Sequence, residues 1–216
     1  MGEFAEALLN FIFPPHCPHC GAYTEERGGW CEECLTETVK VQRLPLSPEM
    51  LPVLEAAWTI SRYHGTVGKL IRRLKFQGDR SALPALHSLL AAGLTGLPPE
   101  LLAADFVTAV PLHAKREQAR GFNQAELIFA PLGRKMPRLL ARVRETVPQY
   151  ELDAEARRKN LAGAFALTEG TELKGASVLL ADDILTTGTT FFECAQVLRD
   201  GGAARVWALA LASDRG

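Results

Sequence analysis

Residues 178–190, V-L-L-A-D-D-I-L-T-T-G-T-T, predict the fold and hold the strongest functional pattern of this 216-residue chain. Four apolar residues end at two adjacent carboxylates, Asp182 and Asp183. A short apolar run of this kind is typical of a strand that is buried on both faces of a parallel sheet. Ligands of open α/β sheets bind outside the carboxyl ends of the strands, which is where the acidic pair falls.

A threonine- and glycine-rich segment follows and leads into a helical pattern that begins near Phe191. Its residues are Thr186, Thr187, Gly188, Thr189 and Thr190. A helix N-terminus offers free backbone N–H groups and the positive end of the helix dipole, which suit a phosphate. The stretch therefore predicts a ligand with a phosphate at one end and hydroxyls, or a metal ion bound to hydroxyls, at the other. A P-loop is disfavoured because no G-x-x-x-x-G-K-[ST] motif occurs.

A second strand, predicted at residues 105–110, is followed by a sequence that predicts a basic loop. The basic residues of this loop are Lys115, Arg116 and Arg120. They can meet a pyrophosphate, since arginine supplies planar, two-pronged donors. Gly121 can let the backbone approach a ligand before a helix that begins near Asn123.

Two cysteine pairs predict a zinc site near the N-terminus. They are Cys17, Cys20, Cys31 and Cys34, spaced C-x2-C, ten residues, C-x2-C. Such pairs can present four thiolates tetrahedrally to one Zn²⁺, and Gly21 allows the tight turn after the first pair. Disulfides are the alternative, although a cytosolic chain with this spacing more often binds metal. We expect zinc bound here to be structural and to contribute about 10–16 kcal/mol of apparent binding energy to a module too small to fold alone.

Residues 65–76 predict an amphipathic helix with a basic face. The apolar stripe consists of Val67, Leu70, Ile71 and Leu74, and the basic residues are Lys69, Arg72, Arg73 and Lys75. Two interpretations stay open. The face is either an ordinary solvated surface or an anion-binding surface, over the active cleft or for a nucleic-acid backbone.

The composition excludes other classes of protein. A hydrophobic content of 47% argues against disorder, and a net charge of −1 gives no indication of a polyanionic partner for the molecule as a whole. No apolar run approaches the ~20 residues of a membrane span. The first residues carry Glu3 and Glu6 and lack a basic region, so they do not predict a signal peptide. We expect a cytoplasmic protein.

Residues 178–190 resemble the fingerprint of the type I phosphoribosyltransferases, which bind 5-phosphoribosyl-1-pyrophosphate (PRPP). The resemblance implies that Asp182 and Asp183 face the ribose hydroxyls and that the loop at 186–190 holds the 5-phosphate. It also implies that the basic loop after the strand at 105–110 binds pyrophosphate.

The order of motifs along nearly the whole chain is similar to that of the ComF family of competence proteins. The motifs are V-P-L-H, R-G-F-N-Q-A-E, the segment around Gln149, R-R-K-N-L-A-G-A-F and residues 178–190, with Tyr63, L-K-F-Q-G-D and the cysteine pairs. This family implies a zinc ribbon on a phosphoribosyltransferase-like domain. It also implies a role in natural transformation, with single-stranded DNA and other competence proteins as partners.

We therefore expect an α/β fold, a type I phosphoribosyltransferase-like parallel sheet flanked by helices, with a small N-terminal zinc ribbon held by four cysteines. The predicted parts are a zinc-ribbon module at 1–40, a linker and hood-like helical region at 41–104, and the core at 105–216. Little chain follows the last predicted strand, so an acceptor hood is expected from residues before Asp105. Related enzymes have a mobile segment that closes over the substrate. Arg157 and Asn160 fall where such a segment is expected, and an exposed basic helix end is the alternative.

Three functions remain open. In an active transferase a nucleophile attacks the anomeric carbon as pyrophosphate leaves with Mg²⁺, and Asp182 and Asp183 position ribose and metal. A binding protein keeps the PRPP site and serves DNA uptake. A salvage enzyme requires a base pocket, which no motif identifies. We favour the first two together, and the sequence identifies no catalytic residue.

Overall fold

The computed structural model describes residues 14–26, 28–133, 136–144 and 161–215. The strands are β1 (Val39–Leu44), β2 (Ala56–Arg62), β3 (Phe106–Ala109), β4 (Leu140–Arg142), β5 (Phe165–Leu167), β6 (Ser177–Leu185) and β7 (Arg205–Ser213). Five of them form one sheet in the order β1-β2-β7-β6-β3. β2, β7, β6 and β3 are parallel, and β1 pairs antiparallel with β2 at the edge. β4 and β5 form a separate antiparallel pair.

Helices cover both faces of the five-stranded sheet. They are α1 (Glu32–Thr38), α2 (Gly65–Gln77), α3 (Leu83–Leu94), α4 (Pro99–Leu102), α5 (Ala114–Arg120), α6 (Gln124–Phe129) and α7 (Thr189–Asp200), with 3-10 turns at Arg80–Ala82 and Ala130–Leu132. Residues of β6 alternate between two cores, because successive side chains of a strand point to opposite faces. Val178 and Leu180 lie in the core under α7, whereas Leu179 and Ala181 lie in the core under α2, α3 and α6. The predicted strand buried on both faces and the predicted fold class are confirmed.

The amphipathic helix predicted at 65–76 is confirmed as α2. Its four apolar stripe residues are all buried, which fixes the rotation of the helix on the sheet. The helix ends at Gly78, whose φ of 64° is the left-handed conformation common at helix C-termini. This packing carries the last turn of α2 to the carboxyl edge of the parallel strands.

The cysteine-rich N-terminal segment packs against α3. The indole N–H of Trp30 donates a hydrogen bond of 2.8 Å to the carbonyl oxygen of Ala85. Gly28 has a φ of 74°, and a Cβ atom at this position would lie 2.5 Å from the Cβ of Pro84. Glycine therefore permits both the turn and the close approach to α3. Cys17, Trp30 and Cys34 join the same core as the helix.

The structure corrects several local predictions. The basic segment predicted as a loop is the helix α5. The sequence also predicts a strand at 138–143, and the structure has the shorter β4 there, outside the main sheet. Residues after 40, predicted as linker, begin with β1. β2 lies inside the main sheet, so the region 41–104 contributes to the sheet as well as to its edge; the subdivision of the chain stays a prediction. Within the described ranges, no helix is long and apolar enough to cross a membrane.

Candidate ligand-binding site

A cavity of about 500 Å³ lies at the carboxyl edge of the sheet, beyond the ends of β3 and β6. One wall consists of the acidic pair and the threonine-rich loop between β6 and α7. The other walls include Arg116 and Arg120 of α5, Gln124 of α6, Arg142 of β4, and Lys75 and Phe76 of α2. Residues before position 105 thus reach this edge of the sheet, as the sequence led us to expect.

The two carboxylates lie on β6 itself, because its pairing with β7 continues through Asp182 to Leu185. The predicted strand ended at residue 181. Asp183 is buried, with 2% of its surface exposed, whereas Asp182 is half-buried at the cavity wall. Adjacent strand residues point to opposite faces, so the two carboxylates have different neighbours.

Asp183 has a partner at each carboxylate oxygen. Lys75 forms an ion pair with Oδ2, and Gln124 Nε2 donates to Oδ1 at 3.0 Å. The guanidinium of Arg120 donates in turn to Gln124 Oε1. Burial alone would raise the pKa of Asp183, but the Lys75 ammonium and these hydrogen bonds outweigh it and lower the pKa. Burial and the neighbouring Asp183 charge raise the pKa of Asp182 well above its ordinary value.

The threonine-rich loop begins α7 through Gly188, whose φ is 83°. The N-cap residue is Gly188, the Thr187 hydroxyl accepts a hydrogen bond from the Thr189 N–H at 3.4 Å, and Thr186, Thr187, Gly188 and Thr190 line the cavity. Thr189 is buried, and its hydroxyl is 2.9 Å from that of Thr187. Arg215 Nη2 donates to the carbonyl oxygen of Thr187 at 2.8 Å and holds the loop from behind. The loop therefore presents backbone N–H groups and hydroxyls to the cavity, an arrangement suited to a phosphate.

Helix α5 provides another part of the cavity lining, and the sequence of this segment favours a helix. The His113 side chain accepts a hydrogen bond from the Lys115 N–H at the start of α5, and Gly121, with a φ of 79°, ends the helix. The segment A-K-R-E-Q-A-R consists of good helix formers, a signal that predicts a helix rather than a loop. Arg116 and Arg120 line the cavity, whereas Lys115 and Gly121 are exposed and lie outside its lining.

For three residues of the cavity wall, the sequence predicts no role at the acidic pair. Arg142 packs over the Phe165 ring at 5.4 Å and lies in a strand with no recognisable motif. Lys75 and Gln124 fall in the motifs L-K-F-Q-G-D and R-G-F-N-Q-A-E, but neither motif predicts a role at the acidic pair. Arg157 and Asn160, predicted for a closing segment, lie outside the described residues.

The four N-terminal cysteines converge as predicted. Their Sγ atoms all lie within 4.8 Å of one another, and those of Cys20 and Cys31 are 3.7 Å apart. A tetrahedral zinc site with Zn–S bonds of about 2.3 Å requires sulfur atoms about 3.8 Å apart. Burial raises the pKa of the Cys17 thiol, but backbone N–H groups outweigh it and lower the pKa to about 6. The four cysteine sulfur atoms therefore fit Zn²⁺. The neighbouring His19 contacts the Thr66 hydroxyl, with 2.9 Å between Nδ1 and Oγ1.

The parallel sheet flanked by helices is the phosphoribosyltransferase-like α/β fold that the sequence predicted, and the four converging cysteines form an N-terminal cluster suited to a zinc ribbon. Residues 8–44 match the family described as Double zinc ribbon domain. Adenine phosphoribosyltransferase from Leishmania tarentolae is a solved structure similar to this one, with a TM-score of 0.41 and 15% sequence identity. That match covers 80% of this chain and 95% of the other.

Curated relatives extend over most of the chain. DNA utilization protein YhgH of Escherichia coli (strain K12) is 33% identical over 206 residues, covering 89% of this chain and 82% of the relative. Competence protein F of Haemophilus influenzae is 31% identical over 210 residues, covering 92% and 85%. Competence protein ComFC of Bacillus subtilis is 27% identical over 189 residues, covering 87% and 73%. The chain belongs to the ComF family of competence proteins.

Proposed function

We propose that this protein binds PRPP in the cavity at the carboxyl edge of the sheet and serves the handling of single-stranded DNA in natural transformation. The observation that carries the proposal is that three kinds of group line one cavity. They are the threonine-rich loop, the acidic pair, and the guanidinium groups of Arg116 and Arg120. PRPP has a 5-phosphate, ribose hydroxyls and a pyrophosphate, which match these three groups in order.

Each wall has a defined part in binding. The loop at 186–190 holds the 5-phosphate through backbone N–H groups at the start of α7. Asp182 accepts hydrogen bonds from the ribose hydroxyls, and Arg116 and Arg120 bind the pyrophosphate through charge-assisted hydrogen bonds. These assignments follow the lining of the cavity, so Lys115 and Gly121 are given no direct contact.

Asp182 also fits a magnesium ion carried by the ligand. Mg²⁺ prefers oxygen ligands, keeps several waters and binds through one or two carboxylates together with substrate phosphates. Asp182 offers such a carboxylate at the cavity wall. When bound, Mg²⁺ supplies charge neutralisation for the pyrophosphate, and the arginines supply the rest.

Isothermal titration calorimetry with PRPP and Mg²⁺ tests the binding site. We expect wild-type protein to bind and Asp182→Asn to bind at least about tenfold more weakly, since it loses a hydrogen bond to a charged group. Asp200→Asn, an exposed change at the far end of α7, is the matched control. No heat of binding with wild-type protein would contradict the proposal.

Pyrophosphate release distinguishes transfer from binding alone. A transferase must release pyrophosphate when PRPP and a suitable acceptor are added together, whereas a binding protein releases none. Residues of the 41–104 region, such as Phe76, border the cavity, and we propose that an acceptor would enter on this side. A panel of nucleobases and amines tests this, and release with a nucleobase would favour the alternative, a salvage phosphoribosyltransferase.

The DNA-related role rests on the relatives and on α2. Two relatives are named competence proteins and another a DNA utilization protein. Lys69 and Arg72 lie exposed on α2, where they can meet phosphates of a nucleic-acid backbone. We propose single-stranded DNA and other competence proteins as partners and a cytoplasmic location. A salt series with single-stranded oligonucleotides tests DNA binding, and negligible affinity at low salt would count against it.

A further inference from the structure

Lys75 is unusual because it lies on α2, far in sequence from the loop at 186–190 and from α5, yet contacts Asp183, the buried member of the acidic pair. It belongs to the last turn of α2 and lies one helical turn after the buried Ile71. Its side chain is 20% exposed, and it lines the cavity. The packing of α2 on the sheet therefore sets the position of this ammonium group.

The ion pair between Lys75 and Asp183 offsets the free-energy cost of burying a charged carboxylate. An ionised carboxylate as buried as Asp183 is costly unless a cation and hydrogen bonds compensate it, because burial removes its hydration. Lys75 supplies the cation at Oδ2, and Gln124 supplies the hydrogen bond at Oδ1. Both oxygens of Asp183 are thereby engaged by the protein, whereas Asp182 lies half-buried at the cavity wall.

We propose that Lys75 is a positioning residue of the PRPP site: it occupies the cation position at Asp183, so that Asp182 alone is left to face the ribose hydroxyls or a magnesium ion. The inference rests on the proposed function. The protein thus supplies from α2 the positive charge that compensates the Asp183 carboxylate. Four cationic and two anionic side chains of the described residues then line the cavity, which suits a polyanionic ligand.

Magnesium dependence tests this role. In Lys75→Gln the Asp183 carboxylate loses its cation, and we expect PRPP affinity to fall about tenfold to hundredfold at low Mg²⁺. High Mg²⁺ should recover much of this loss, because a divalent cation can then compensate the bare carboxylate. Lys174→Gln, at a highly exposed lysine outside the cavity lining, should bind as wild type at both magnesium concentrations.

A double variant separates positioning from direct ligand contact. Lys75→Gln/Asp183→Asn removes both charges and leaves two amides that can hydrogen-bond to each other, so no buried charge lacks a partner and we expect PRPP affinity within about fivefold of wild type. This variant also serves if the single variant fails to fold. A loss of affinity in Lys75→Gln that neither Mg²⁺ nor Asp183→Asn relieves would overturn the inference, as would wild-type affinity in Lys75→Gln. Absence of PRPP binding by the wild type would instead contradict the proposed function.

Discussion

Asp182 and Asp183 are neighbours in the chain but differ in burial, partners and acidity. The pleat of β6 directs Asp183 towards α2 and α6, where Lys75 and Gln124 hold it. Asp182 lies at the cavity wall. The two carboxylates therefore have different roles: Asp183 connects α2 and α6 to β6, and Asp182 faces the cavity.

Gly93 shows how one missing methyl group sets the distance between α3 and β2. A Cβ atom at this position would lie 2.3 Å from Cγ2 of Ile60, which is fully buried. Ala in place of Gly normally favours a helix by up to about 1 kcal/mol, but overpacking costs about 1–3 kcal/mol. We expect Gly93→Ala to lower the free energy of unfolding, as measured by urea denaturation. Increased stability would contradict this account of the packing.

The exposed Ala91 of the same helix offers the matched control. Ala91→Gly changes helix propensity without affecting the core, so we expect it to destabilise by no more than about 1 kcal/mol.

Asp79 makes stability depend on pH at the end of α2. Hydrogen bonds from Ser81 and from Arg73 lower its pKa from 3.8 to about 2. A carboxyl group whose pKa is lower in the folded state than in the unfolded state stabilises the fold at pH values above its unfolded-state pKa. This stabilisation is lost as the pH falls through the folded-state pKa. We expect Asp79→Asn to be less stable than wild type at pH 7, with a smaller difference at pH 3, in denaturant titrations at each pH. A difference that grows on acidification would contradict the assignment.

At the scale of elements, the zinc ribbon and α3 support each other. The ribbon contributes Cys17, Trp30 and Cys34 to the core that α3 also forms. We expect one zinc per chain, and we expect Cys34→Ser or a strong chelator to remove it and lower the melting temperature. Metal loss should also expose Trp30, which shifts its fluorescence to longer wavelength. Elemental analysis and thermal unfolding provide the measurements.

Cys194 provides the control for metal content. It lies fully buried in α7, outside the cysteine cluster, and burial raises the pKa of its thiol well above the ordinary value. Cys194→Ala should keep its zinc. Loss of zinc from this variant, or full zinc content in Cys34→Ser, would show that the four clustered cysteines do not hold the metal.

At the scale of the whole molecule, we expect the distribution of charge to affect DNA binding more than the net charge does. The net charge is −1, but residues 62–80 hold six basic residues and one acidic residue. Reversing Lys69 and Arg72 to Glu should weaken single-stranded DNA binding and reduce the dependence of log K on log salt by about 1.4, or about 0.7 for each phosphate that is no longer neutralised. Filter binding across a salt series measures both. Lys174→Glu reverses one charge elsewhere, and an equal effect there would argue against a specific DNA face.

The sequence predicted the local features of this molecule because their signals are local. The apolar run and acidic pair of β6, the Thr/Gly loop, the stripe of α2 and the cysteine spacing each depend on residues close together in the chain. The prediction of a loop is wrong for α5, because the residues of this segment are good helix formers and a helix can present basic side chains to a cavity as a loop can. Residues 138–143 predict a strand, but a short apolar run does not indicate which sheet the strand joins, and β4 pairs with β5 outside the main sheet.

Tertiary structure alone decided which distant residues meet at the cavity. Lys75 contacts Asp183 across more than a hundred residues because α2 packs its apolar stripe on the same sheet face towards which Asp183 points. Arg142 reaches the cavity from a two-stranded sheet whose partner strand begins at Phe165. No periodicity or motif spacing in the sequence predicts such contacts, because they arise from the packing of helices and strands against each other. The sequence by itself determined the β6 stretch and the kind of ligand it suits, and the fold determined which cation compensates its buried carboxylate.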